Sequence, residues 1–241
     1  SRFFPAVATS SAPSKSTCPK TIVIRKVVFA FVLSLLVRAG WAQQENTFIV
    51  WSQPDEIVNY PDSVLMDSFR AEEIPDAVFA RMQGKSYKAG CIVPRSELRY
   101  LTIPHHDGHG NVRMGELVCN QAIAADLLDI FREAFRIHYP IERMVLVDEY
   151  DADDRASMNA NNSSCFNYRV VAGSKKLSNH ARGLAIDVNP FYNPYVKRRP
   201  GKAPYVSPDA AAKFADRTAD FPYKIDTTDP IYILFIAHGF R

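Results

Sequence analysis

The sequence predicts one α+β domain over residues 74–241, a small antiparallel sheet flanked by helices. Three stretches carry that reading. "LRYLTIPHHDGHGNVRMGELV" has two β-rich runs around "DGHGN", whose residues tolerate positive φ, so it predicts strand, turn and strand. "NQAIAADLLDIFREAFRIHYP" places Ile123, Leu127, Leu128, Ile130, Phe131 and Phe135 at helical spacing, with Asn120 as the cap. "ERMVLVDEY" is rich in β formers and reads as a buried strand.

The remaining elements follow in chain order. Residues 43–73 are mixed and broken by "QPDE" and "NYPDS", which predicts an extended entry segment. "IPDAVFARMQG" predicts a short helix from near Pro75 to Gly84. "DADDRASMNANNSSCFNYRVVAGSKKL" is read as loop, and "NPFYNPYVKRRPGKAPYVSPDA" holds too many prolines for regular structure, so a long surface loop is expected. "SPDAAAKFAD" predicts a short helix capped by Ser207 before Pro208. "DPIYILFIAHGF" predicts a last helix that stops near Gly239.

The formal charge of +3 hides two unlike parts. Residues 1–42 carry six basic side chains (Arg2, Lys15, Lys20, Arg25, Lys26, Arg38) and no acidic one, leaving 23 basic against 26 acidic residues in the remainder. That balance gives no footprint for nucleic acid or an anionic membrane surface. The basic part has the layout of an export signal: Arg25 and Lys26, an apolar run Val27–Val37, and small residues ending at Ala42. Interrupted by Ser34, the run is about half the roughly 20 residues a membrane span needs. An exported protein, periplasmic or extracellular, with no stable membrane insertion after signal cleavage is expected. Cys18 falls before this signal; Cys91, Cys119 and Cys165 are widely spaced, and their pairing cannot be chosen from sequence.

The densest chemistry lies in "SNHARGLAIDVNP", Ser178 to Pro190. As a strand, residues 183–189 point Leu184, Ile186 and Val188 into a core and Gly183, Ala185, Asp187 and Asn189 the other way, toward a roomy face with one carboxylate. His180 sits in the turn before it. An imidazole and a carboxylate converging on open space suit zinc; they equally suit a buried His–Asp hydrogen bond, and spacing alone leaves both open. "PHHDGHGN" offers His105, His106, Asp107 and His109 as donors, but Asp-Gly and Gly-Asn read as a solvated hairpin tip. The aromatic and proline-rich "NPFYNPYVKRRP" reads either as a peptide- or glycan-binding rim or as packing for a loop.

Ser178-x-His180-x-x-Gly183-x-Ala185-x-Asp187 resembles the signature of the D-alanyl-D-alanine carboxypeptidase family of zinc peptidases, the VanY-like group. That group includes vancomycin-resistance dipeptidases and phage L-alanyl-D-glutamate endopeptidases. "GELVCN", "NNSSCFNYR" and "IDVNPFYNPYV" are similar to one exported bacterial branch, and the resemblance runs from about Ile74 to Arg241. It implies a Hedgehog/DD-peptidase-like fold, Zn2+ as cofactor and a peptidoglycan stem peptide as substrate. It implies His180 and Asp187 as two of three zinc ligands and Ser178 as a substrate-side serine, though a turn residue bonding its own backbone fits Ser178 equally. It gives Arg155 the role of steadying the oxyanion, with "DDRASM" standing where Gly-Tyr-Arg-Ser is usual; the other reading is a solvated arginine paired with Asp153 or Asp154.

Zinc would lower the pKa of a bound water and polarise the scissile carbonyl, while a carboxylate moves the proton to the leaving amine. The family's acid and third zinc histidine follow a segment like "FIAHGFR", beyond residue 241, so the chain as given is expected to bind zinc weakly and to hydrolyse little. His238 reads as helix-end structure. The rival reading is a non-catalytic exported domain that keeps the fold to bind cell-wall peptide or a protein partner.

Overall fold

The computed structural model describes residues 6–7, 53–171 and 176–241. The expected signal at Arg25–Ala42, and Cys18, lie outside the described residues. In chain order the elements are β1 (Ala6–Val7), β2 (Ile57–Val58), α1 (Asp62–Asp67), β3 (Arg70–Glu72), α2 (Asp76–Met82), β4 (Leu98–His106), β5 (Val112–Asn120), α3 (Gln121–Arg136), α4 (Asp154–Asn159), β6 (Ala185–Ile186), β7 (Tyr195–Arg199), β8 (Lys202–Ser207) and α5 (Pro230–Ala237). Among the described residues no helix is long and apolar enough to cross a membrane.

The α+β class holds. A four-stranded antiparallel sheet, ordered β2-β5-β4-β3, is built on the predicted hairpin, whose strands pair from Leu98 opposite Asn120 to His106 opposite Val112. The period of two in a strand sorts its residues onto two faces. Leu101, Ile103, Leu117 and Cys119 pack with Ile123, Leu127, Ile130 and Phe131 of α3 in the main core. Leu98 and Val118 pack with Ile74, Met82, Val93, Leu146 and Phe166 in a second core. The entry segment is part of this sheet: residues 57–72 carry β2, α1 and β3.

Several elements differ from expectation, each for a local reason. "ERMVLVDEY" is buried but is not a strand; it runs extended into a 3-10 turn at Val147–Tyr150. Side chains and isolated backbone contacts, rather than a ladder, satisfy its backbone. Val145 N donates to Asn162 Oδ1 at 2.8 Å, Asn162 Nδ2 donates to the Val145 carbonyl at 2.9 Å, and Glu116 N donates to the Met144 carbonyl at 2.9 Å. Inside the segment read as loop, α4 forms because the Asp153 carboxylate accepts from Arg155 N and Ala156 N. The proline-rich stretch is the β7–β8 hairpin. Pro194 precedes it, Pro200 lies in the turn, and Pro204 faces the register shift between Lys197 and Arg199, so none removes a needed ladder donor. Residues 209–215 form a 3-10 helix after Pro208, with no side-chain cap from Ser207.

The hairpin tip is also drier than expected. His105, His106 and Asp107 are buried, and only Gly108, His109 and Gly110 are exposed. Asp107 closes the turn by accepting from His109 N, Asn111 N and Arg113 Nε. His105, 2 % exposed, has its pKa pulled down by burial to about 4. The unfolded chain therefore takes up a proton, near pH 6.5, that the folded chain refuses until about pH 4. Stability is full above pH 6.5 and falls between those values by roughly 3 kcal/mol. Urea titrations of the wild type and His105→Gln at pH 7, 5.5 and 4.5 should show a shallower loss in the variant; parallel curves would remove His105 as the cause.

Candidate metal centre

The signature stretch folds as a 3-10 turn, His180–Arg182, followed by β6. Ser178 Oγ starts that turn by accepting from Ala181 N at 3.0 Å, the backbone-bonding role. Gly183 ends it at φ 66°, with its N–H on the His180 carbonyl and its own carbonyl accepting from Asn120 N at 2.9 Å. The site turn is thereby fastened to the start of α3. Leu184, Ile186 and Val188 pack on the main core as the alternation predicts. The opposite face is not the open floor expected. Gly183 and Ala185 are buried, and Asn189, fully buried, bonds Glu142 N and the Pro140 carbonyl. Small residues there permit close packing rather than leaving room.

His180 and Asp187 do come together. His180 Nδ1 lies 2.7 Å from the Cys165 carbonyl, and Nε2 lies 3.4 Å from Asp187 Oδ2. A carbonyl only accepts, so Nδ1 carries the hydrogen, and in the neutral ring Nε2 turns its lone pair toward the carboxylate. His180 Nε2 and Asp187 Oδ2 are thus two atoms able to offer lone pairs toward one point. Nitrogen and oxygen atoms each about 2.1 Å from a tetrahedral zinc stand about 3.4 Å apart, which is the spacing seen. The pair fits a metal edge. Among the described residues no group of three or more His, Cys, Asp or Glu side chains assembles as a metal cage.

Asp187 is held against Ser164 by a reciprocal backbone pair, N to O at 2.9 and 3.0 Å. Burial pushes its carboxyl up, opposed by the His180 and Arg169 charges and reinforced by Asp154. These causes identify the groups around it: Asp154 at the start of α4, and Arg169. Arg169 Nη2 bonds Asp154 Oδ2, and Asn167 Nδ2 reaches Asp154 Oδ1 at 3.4 Å. Arg155 points elsewhere. It is 65 % exposed and pairs loosely with Asp209 at 3.6 Å, not with Asp153 or Asp154.

Arg169 is thus the cation beside the pair, and sequence reading passed over it. A signal for it exists in "RVVAGSKKLS": Gly173-Ser174 after an apolar run and before two lysines is a turn signature. Val170 does bridge Leu177, and Ser178 N donates to the Arg169 carbonyl at 3.1 Å, which sets Arg169 across from Ser178. His238 caps α5 and contacts Asp126 Oδ1 at 3.1 Å, the helix-end role expected.

Residues 172–241 match the family model of D-alanyl-D-alanine carboxypeptidases. The matched span contains Ser178, His180, Gly183, Ala185 and Asp187, so it supports the resemblance drawn from those residues, and the family is one of peptidases. Neither the curated proteins nor the solved structures hold a match to the chain. Cys91, Cys119 and Cys165 are free thiols; Cys165 lies under the site, and burial pushes its thiol well up.

Proposed function

We propose that the chain is a zinc-dependent peptidase that hydrolyses stem peptides of bacterial peptidoglycan, at D-Ala-D-Ala or L-Ala-D-Glu bonds, in the periplasm or outside the cell. The observation that carries this is the pair inside the family-matched span: His180 Nε2 and Asp187 Oδ2, 3.4 Å apart, with the tautomer set by the Cys165 carbonyl. Bound there, zinc would supply a Lewis acid and an activated water.

The protein's own groups have separate tasks. His180 and Asp187 would hold the metal, and the Cys165 carbonyl would keep the imidazole in the competent tautomer. Arg169, steadied by Asp154, provides fixed positive charge where negative charge grows on the scissile carbonyl oxygen, the task expected of Arg155. Ser178 positions His180 by capping its turn. Among the described residues no third metal donor joins the pair, and the proton-carrying carboxylate is not assigned.

The test uses the protein expressed from its whole gene. Zinc stoichiometry should be one per chain, and muropeptides should lose D-alanine or split between L-Ala and D-Glu. His180→Ala and Asp187→Asn should each weaken zinc binding on the order of 100-fold or more, since a catalytic zinc has three protein ligands to begin with. Arg169→Met should keep the zinc and lower kcat on the order of 100-fold, while Arg155→Met changes little. A whole-gene protein that holds no zinc and cleaves nothing would establish the rival, a binding domain that retains the fold.

A further inference from the structure

The β7–β8 hairpin carries four cations, Lys197, Arg198, Arg199 and Lys202, and no acidic residue. All four are exposed, and none forms an ion pair with a carboxylate among the described residues. The acids that follow the hairpin are engaged: Asp209 pairs with Arg155, and Asp216 accepts from Thr218 N and Oγ1. Other exposed cations without a carboxylate partner among the described residues, Lys88, Arg182 and Lys213, stand singly, whereas the hairpin gathers four on one element. The hairpin is therefore a concentrated, unneutralised positive potential on a projecting element.

Its two faces differ. Val196 and Val206 sit opposite one another and, with Pro204 and Arg198, line a groove of about 580 Å³ against Ala212 and Ala215. On the other face Lys197 is directly opposite Tyr205, and Tyr195 lies one pleat away. Tyr195 and Tyr205 are 45 % and 50 % exposed, with ring centroids 6.4 Å apart and planes 65° apart. Two large rings left in water beside lysine and arginine are not there to fill the core. Flat apolar faces with a hydroxyl at the edge suit a ligand that is apolar on its broad side and polar around its rim.

We propose that this hairpin is a docking arm for an anionic polysaccharide, a chain of sugar rings bearing carboxylates. Cations bind the charges and the tyrosine faces stack on the rings. The proposal rests on the peptidoglycan-peptidase reading, which places the chain beside cell-wall polymers; that context selects a sugar polymer over other polyanions. Docking would hold the enzyme on the wall while the metal site turns over, and is separate from catalysis.

The experiment measures binding of the whole-gene protein to immobilised polygalacturonate, polyglutamate, oligothymidylate and dextran, and retention on purified sacculi. Polygalacturonate and sacculi should bind, with affinity falling as salt rises, and dextran should not. Replacing Lys197, Arg198, Arg199 and Lys202 by Gln together should cut that binding on the order of tenfold or more, with the melting temperature unchanged. Tyr195→Ala with Tyr205→Ala should weaken polygalacturonate and spare polyglutamate. The proposal is overturned if the charge variant binds as the wild type does, if salt has no effect, or if polyglutamate or oligothymidylate binds as tightly as polygalacturonate. His180→Ala separates the two readings: it should lose zinc and cleavage but keep polysaccharide binding. Docking without any cleavage by the wild type would sink the peptidase reading alone.

Discussion

Gly183→Ala should be among the most damaging single-methyl additions available in this chain, destabilising it by on the order of 3 kcal/mol. Two causes combine. At φ 66° a Cβ is strained whatever surrounds it, by roughly 1–2 kcal/mol. The added carbon would also sit 2.6 Å from Asn120 N and 3.1 Å from the Cys119 carbonyl carbon, both backbone atoms at the junction of β5 and α3. Backbone there cannot swing aside as a side-chain tip would, and overpacking of this kind costs about 1–3 kcal/mol more. Relief by shifting the turn would break the Asn120–Gly183 hydrogen bond and move His180, so zinc affinity should drop along with stability. Gly84→Ala is the control. Its φ is 77°, but a Cβ there meets nothing within 4 Å, so only the conformational part, about 1 kcal/mol, should appear in urea unfolding. Equal losses in the two variants would mean that the close approach to Asn120 is not rigid.

Arg81→Met should cost about 3–5 kcal/mol, because it strands a buried charge. The Glu116 side chain is 1 % exposed, and its carboxylate takes Arg81 Nη1 and Nη2 at 2.9 and 2.5 Å, with the Tyr100 hydroxyl at 2.9 Å. Glu116 and Glu149 both hold the Arg81 proton more tightly than usual, with Glu116 the larger cause. The Glu149 bridge, 52 % exposed on the carboxylate side, contributes little by itself. Removing Arg81 leaves Glu116 buried with only the Tyr100 hydroxyl and a long bond from Leu146 N, neither of them a charge. Glu116→Leu alone is expected to be milder, since the half-exposed Arg81 keeps Glu149 and water. The double variant should recover most of the loss, which a double-mutant cycle by chemical denaturation reads directly. An additive double variant would show that the pair does not act as a unit.

Much of this protein is determined by local pattern. The β4–β5 hairpin needs only β-rich runs around Asp-Gly and Gly-Asn, and α3 needs only its apolar spacing and Asn120. The nearness of His180 and Asp187 was legible because a tight turn and a short strand place residues seven apart within reach, though contacts with Asn120, Ser164 and Cys165 fix their final orientation. Other features were decided by contacts between distant segments, which spacing does not encode. Asn162, not a neighbouring strand, satisfies the backbone of Val145, so a β-rich sequence is no strand. Proline placement at a bulge lets a loop-like composition form a hairpin. Beside His180 and Asp187, two arginines in a chain with 29 basic residues looked alike in sequence. The pairing of Val170 with Leu177 brought Arg169 to Asp154 and left Arg155 to solvent and Asp209, because a side chain's partner is fixed by which backbones cross, not by its distance along the chain.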